Sequence, residues 1–237
     1  NIDFIGNELA IYNKNKHFQL GCITPLDSKC GIASYSKYLL TDIEEDVIFF
    51  TPFNEDAEID GLANLSIIPS WDLGEVKDDF SFLKKKISDL NITSLIIQFN
   101  YGFFNFSKLS DLIIDLKKCG INIFVILRST VNPQSDKSKC LSNLSESFKL
   151  VDRLLVHTIN DLNRLMKFGL NSNLTLFPHG FVDFTPLPKS ISSSITSIFR
   201  KQSFIIATYG FCLPNKGYDE LIKACDILIK KGFNLKL

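Results

Sequence analysis

Histidine is scarce in this chain, with three residues in 237, and tryptophan and methionine occur once each. No Cys-x-x-Cys is present, and no His/Cys group has zinc-ligand spacing, which argues against a zinc module. Neither sign of charge is in excess. Lysine plus arginine totals 26 and aspartate plus glutamate totals 26, so no general attraction to nucleic acid or an anionic membrane follows. No apolar run reaches the roughly 18 residues of a membrane span, and no signal-peptide pattern opens the chain. Missing motifs narrow the chemistry further. Without Gly-x-Gly-x-x-Gly after the first strand, a dinucleotide site is disfavoured. Without a Gly-x-x-x-x-Gly-Lys-Ser/Thr loop, so is a P-loop nucleotidase. No Gly-x-Ser-x-Gly elbow of an α/β-hydrolase appears, and no Asp-x-Asp metal motif stands at a strand end.

What the chain has is apolar substance. Hydrophobic residues make up 45%, enough for a sizeable core in one large or two small domains. Six cysteines, at 22, 30, 119, 140, 212 and 225, sit mostly in apolar or helical stretches and read as reduced structural thiols. That suggests a reducing compartment, the cytoplasm. Sequons at Asn64, Asn91, Asn105, Asn143 and Asn173 are expected by chance in so Asn/Ser/Thr-rich a chain. A chain opening on Asn1 is expected to be a fragment or a processed piece.

Apolar, β-rich runs predict strands at 18–24, 46–51, 65–69, 94–100, 122–128, 153–157, 173–178 and 203–209. Leu95-Ile96-Ile97, Ile123 to Leu127 and Leu154-Leu155-Val156 do not alternate, as in strands buried on both faces of a parallel sheet. Amphipathic stretches between them predict helices at 32–40, 78–90, 108–119, 158–168 and 218–231. Gly120 and Gly169 stand where C-terminal cap glycines belong, and Thr158 with Asp161 resembles a capping box. The alternation predicts a Rossmann-like, doubly wound, mostly parallel α/β sheet over residues 1–185. Pro186-Leu187-Pro188 and a serine-rich stretch then read as a linker, and 186–237 as the first βαβ of a second, unfinished Rossmann-like domain.

Open α/β sheets bind ligands beyond the carboxyl ends of their strands. The chain places there Asp27, Ser28 and Gly31; Gln98, Asn100 and Tyr101; Arg128, Ser129 and Thr130; His157 and Thr158; His179 and Gly180; and Tyr209, Gly210, Asn215 and Lys216. A guanidinium, two imidazoles and an amine suit a ligand with a polar sugar and an anionic phosphate. Each also has a structural reading. His157 could be a satisfied core histidine, His179 a turn residue, Arg128 an ion-pair partner, Gly31 a close-packing glycine and Lys216 a solvated cation. The Lys84-Lys85-Lys86 run reads as a solvated helix face. With Phe103-Phe104 it is also the candidate for peripheral contact at the inner face of a membrane.

Four segments carry a family resemblance. They are Ile23-Thr24-Pro25 through Cys30-Gly31-Ile32-Ala33-Ser34-Tyr35; Asp152-Arg153-Leu154-Leu155-Val156-His157-Thr158 with Asp161-Leu162-Asn163-Arg164-Leu165; Leu176-Phe177-Pro178-His179-Gly180; and Tyr209-Gly210-Phe211-Cys212-Leu213-Pro214-Asn215-Lys216-Gly217. In this order they resemble the GT-B glycosyltransferases of family 4, retaining enzymes with two Rossmann-like domains facing a cleft. The resemblance implies a hexosyltransferase that moves a sugar from a nucleotide-sugar to a glycan or lipid-linked acceptor, in polysaccharide or glycoconjugate synthesis. It implies no cofactor and no metal, and no nucleic-acid partner.

The resemblance also implies roles. Gly31, Gly210 and Lys216 fall to the donor's diphosphate and sugar, and Lys216 helps the leaving group depart. Asp27, Ser28, Gln98, Asn100, Tyr101 and Ser129 fall to the acceptor side. Arg128, His157 and His179 are the catalytic candidates. Two positions depart from the family pattern: Phe211 where an arginine is frequent, and Arg128 where a histidine is frequent. Arginine holds an anion or hydroxyl but does not shuttle a proton. The family's acidic motif would lie beyond Leu237, so the chain by itself is expected to be inert. Two alternatives stay open. One is a degenerate domain that binds a glycan or a partner transferase; the other is a sugar-nucleotide epimerase of the same fold.

Overall fold

The computed structural model describes residues 19–26, 31–41, 43–55, 64–74, 79–134, 136–181, 204–210 and 216–237. The chain divides into two compact units, Asn1–Val182 and Asp183–Leu237. Asp27, Ser28, Cys30, the 186–197 linker, Phe211, Cys212 and Asn215 lie outside the described residues.

The first unit is built on seven parallel strands: β1 (Leu20–Ile23), β2 (Val47–Pro52), β3 (Leu65–Trp71), β4 (Ser94–Phe99), β5 (Asn122–Leu127), β6 (Arg153–Val156) and β7 (Leu174–Leu176). Their order is β3-β2-β1-β4-β5-β6-β7, and every described pair is parallel. The order reverses between β1 and β4, the switch point where such sheets open a crevice. Among the described residues five helices run between the strands: α1 (Gly31–Thr41), α2 (Ser81–Asp89), α3 (Phe106–Lys118), α4 (Ser145–Leu150) and α5 (Ile159–Met166).

Strand alternation assigns the two faces. Leu95, Ile97 and Phe99 of β4, with Ile123, Val125 and Leu127 of β5, meet Leu83, Leu109, Leu112, Phe148 and Leu165 in one large core under α2–α5. Cys22, Val47 and Phe49 meet Leu40 of α1 in a smaller core on the opposite face. Trp71 is fully buried. It donates its indole N–H to the Phe50 carbonyl at 2.8 Å and stacks on Phe104 at 5.2 Å between centroids.

Local chemistry explains the helix ends. Asn105 caps α3 by accepting from the Lys108 amide at 3.2 Å, so the helix begins before the expected 108. Thr158 caps α5 by accepting from the Asp161 amide at 3.1 Å. Gly120 and Gly169 follow α3 and α5 at φ +78, a left-handed conformation that a side chain disfavours.

Several expectations change. Helix α4 and the 3₁₀ turns before it (Lys137–Lys139 and Leu141–Leu144) had no counterpart in the sequence reading. Their signal is the spacing of Leu141, Leu144 and Phe148, all buried. Phe104 is buried and Phe103, half-buried, packs against the large core, so much of this pair is spent inside the fold. The lysine run is occupied too: Lys84 pairs with Asp115 at 3.1 Å, Lys85 with Asp89 at 2.6 Å, and Lys86 lies over the Phe82 ring. No described helix is long and apolar enough to cross a membrane. Cys22, Cys119, Cys140 and Cys225 are free thiols. The Asn173 amide is buried and donates to the carbonyls of Phe148 and Val151 at 2.7 and 2.8 Å, so this sequon's nitrogen is spent inside the fold.

The second unit contains β8 (Phe204–Ile205), α6 (Tyr218–Lys230) and β9 (Leu235–Lys236), with β8 and β9 parallel. Among its described residues Cys225 alone is buried.

Candidate functional site

Register brings Arg128, His157 and Phe177 together. Leu127 pairs with Val156, and Val156 with Leu176, so the next residue of each strand projects on the same face at the same height. That is the face α1 covers. Tyr35, one turn into α1, lays its ring beneath the Arg128 guanidinium at 3.5 Å to the centroid. His157 and His179 stack at 3.6 Å between ring centroids, 19° apart in plane. Tyr35 meets both edge-on, at 5.9 and 5.4 Å.

Hydrogen bonds assign the protons. His157 Nδ1 lies 2.8 Å from the Phe177 carbonyl, which only accepts, so Nδ1 carries the hydrogen. On the neutral ring Nε2 is then an acceptor, and it faces Arg128 Nη1 at 3.4 Å. Burial holds the His157 pKa below the ordinary histidine value, reinforced by the nearby His179 and Arg128 charges. Burial and Arg128 do the same to His179. Burial pushes the Tyr35 phenol up. His157 is buried with both ring nitrogens engaged, so its task is positioning. His179 is exposed and stands as the outward group of the stack.

A second network fixes the loop that carries Arg128. The Thr130 hydroxyl donates to Asp161 Oδ1 at 2.6 Å, and the Thr158 hydroxyl donates to Oδ2 at 2.6 Å. Arg164 joins Asp161 at 3.1 Å and also donates to Thr130. Burial alone would raise the Asp161 pKa. The two hydroxyl donors and the Arg164 charge more than reverse that and hold it below the ordinary carboxylate value. One carboxylate thus ties the loop after β5 to the loop after β6.

The acceptor-side candidates divide. Gln98 is fully buried at the switch point, and neither atom of its side-chain amide has a hydrogen-bond partner among the described residues. Thr24 beside it shares a 3.1 Å hydrogen bond with Ser36 of α1. Asn100 turns inward on its own loop, its Oδ1 accepting from the Gly102 amide at 2.9 Å. Tyr101 donates its hydroxyl to Asn132 Oδ1 at 3.3 Å, and burial pushes its phenol pKa up. Ser129 accepts from the Val131 amide at 3.3 Å. Gly31 opens α1, and a Cβ there meets no described atom within 4 Å, so helix–strand packing does not require the glycine. Gly210, at φ +128, and the exposed Lys216 belong to the second unit.

Sequence reasoning named Thr130 only as a strand-end residue and gave Tyr35, Asp161 and Arg164 no place at the site. Tyr35 is four residues after Gly31 and so shares its helix face, a spacing legible in advance. The Asp161–Thr130 link joins separate loops and had no sequence signal. Among the described residues no group of three His, Cys, Asp or Glu could hold a metal.

No protein-family model matches the chain, and no curated protein does either. Solved structures do. UGT2 of Phytolacca americana complexed with UDP-2-fluoro-glucose and pterostilbene aligns at 11% identity and a TM-score of 0.50, covering 89% of this chain and 64% of that one. The apo form of UGT2 aligns at 11% identity and 0.51, covering 89% and 61%. The chain thus spans less than two thirds of the length of the protein it matches. At this identity the likeness concerns the backbone, and it establishes a Rossmann-like α/β fold of the GT-B kind.

Proposed function

We propose that the chain is part of a glycosyltransferase that moves a sugar from a nucleotide-sugar donor to a glycan or lipid-linked acceptor, with retention. The carrying observation is the Tyr35–Arg128–His157–His179 cluster at the carboxyl ends of β5–β7, on a backbone shared with a protein solved with UDP-2-fluoro-glucose. In this reading Arg128 holds a polar group of the substrate, His157 fixes Arg128 and His179 in place, and His179 meets the acceptor. Gln98 offers a bidentate amide to an acceptor hydroxyl, which would satisfy its buried donor and acceptor. Asp27, Ser28, Asn100, Tyr101 and Ser129 complete the acceptor side. Gly31, Gly210 and Lys216 serve the donor, Lys216 by offsetting charge as the diphosphate departs. The chemistry needs no resident cofactor.

The test uses the complete protein that carries this chain. It should bind UDP or GDP and turn over a nucleotide-sugar, and Lys216→Ala should lower kcat on the order of 100-fold, as loss of one charge-stabilising group does. Gly31→Val should lower transfer while nucleotide affinity and thermal stability persist, because the new side chain meets no described atom in the fold. Failure to bind any nucleoside diphosphate refutes the donor assignment and leaves a glycan-binding module.

A further inference from the structure

Loops leaving the carboxyl ends of β4 and β5 also build a cavity of about 410 Å³, on the α3 face of the sheet and outside the histidine cluster. Its size is within the range of small-ligand clefts. Asn105, Phe106, Ser107, Ser110 and Asp111 line it from the start of α3, and Ser138, Lys139 and Asn143 from the turns after β5, so the lining is part polar and part apolar. The walls are tied together. Lys139, more than nine-tenths buried, donates from Nζ to the Phe104 carbonyl at 2.8 Å. Asn143 Nδ2 donates to the Ser138 carbonyl at 3.0 Å. Asn105 Oδ1 is spent on the Lys108 amide, so the lining side chains rather than the helix end define the chemistry.

Three lining groups are uncommitted. The Ser107 and Ser110 hydroxyls and the Asp111 carboxylate make no hydrogen bond or ion pair among the described residues. A carboxylate accepts strongly from hydroxyls and repels anions. The Lys139 ammonium on the same wall opposes a cation. The hydroxyl and amide groups disfavour a wholly apolar guest, which could not satisfy them, while Phe106 offers a small apolar patch beside them. The ligand that meets all three conditions is neutral and rich in hydroxyls.

We infer that this cavity is a subsite for one neutral sugar unit, with Asp111 accepting from its hydroxyls and Ser107 and Ser110 completing the contacts. That the sugar belongs to an extended acceptor rests on the transferase reading; that the cavity binds it does not.

The experiment is an amide NMR titration of the whole chain with glucose, galactose and N-acetylglucosamine, and separately with inorganic phosphate and UDP. At least one sugar should give saturable shifts confined to 105–111 and 136–143. Asp111→Ala and Ser107→Trp, both at exposed positions, should each weaken that binding by about fivefold or more, the net worth of one hydrogen bond. Phosphate should leave these residues unmoved. No saturable shift with any of the three sugars, unaltered affinity in both variants, or a response to phosphate in place of sugar overturns the subsite. A chain that ignores UDP yet binds sugar here upholds the subsite and counts only against the donor reading.

Discussion

His157 and His179 are held neutral by surroundings that penalise a proton on either ring, and this has a consequence for stability. Both folded pKa values lie below the unfolded value of 6.5, so the unfolded chain binds more protons between the two. Stability contributed by the pair is present above 6.5 and is lost as pH falls through and below it. Melting temperature should therefore drop on acidification from neutral pH, and His157→Gln should flatten that slope; an unchanged slope in thermal melts removes the pair as its cause. Asp161 acts lower on the scale. Its folded pKa is depressed, so its contribution is lost only as pH falls below the ordinary carboxylate value of 3.8.

Glycines show the same contrast between visible and hidden constraint. A Cβ on Gly21 would lie 2.8 Å from Leu95 Cδ1 and from Phe50 Cε2, both fully buried. Gly21→Ala should destabilise by about 1–3 kcal/mol, the usual cost of overpacking a core, read as a shift in denaturant midpoint. Gly31→Ala should leave the midpoint unlowered. The sequence motif drew attention to Gly31, yet packing requires Gly21, because steric demand is set by strands far apart in sequence.

At the scale of elements, most of the fold was legible. Apolar, β-rich runs located all seven strands of the first sheet, and caps located the ends of α5. Thr158→Ala removes both the cap to the Asp161 amide and the hydroxyl bond to the Asp161 carboxylate. It should cost about 1–2 kcal/mol in chemical denaturation, and a midpoint equal to the parent's would count against the cap. Helix α4 escaped because it is short and the buried Leu141, Leu144 and Phe148 run from a 3₁₀ turn into it, which breaks the 3.6-residue period. The site was legible only as a set of strand ends. Arg128, His157 and His179 could each be named from position, but their stacking and proton assignment depend on strand register.

The two units differ as whole molecules. The first has a large core under α2–α5 and a second under α1. Among its described residues the second leaves Phe204, Ile222, Ile227, Ile229 and Phe233 exposed and buries Cys225 alone. Residues 1–182 produced alone should unfold cooperatively, at a melting temperature close to that of the whole chain. Residues 183–237 alone should show no cooperative transition by calorimetry, since the two-stranded sheet and helix among their described residues bury too little apolar area.

The sequence by itself determined the α/β class, the parallel sheet, the places of the strands and the polar residues at their ends. These follow from local periodicity, capping and the burial of continuous apolar runs, all read within a few residues of one another. Tertiary structure decided what those end residues do. Pairing in register set Arg128, His157 and Phe177 side by side, and α1 brought Tyr35 over them. A carboxylate on α5 locked the loop between, and loops from β4 and β5 framed a separate open cleft. None of these contacts joins neighbours in sequence. Each depends on the height at which strands meet, and that is fixed only when the whole sheet packs.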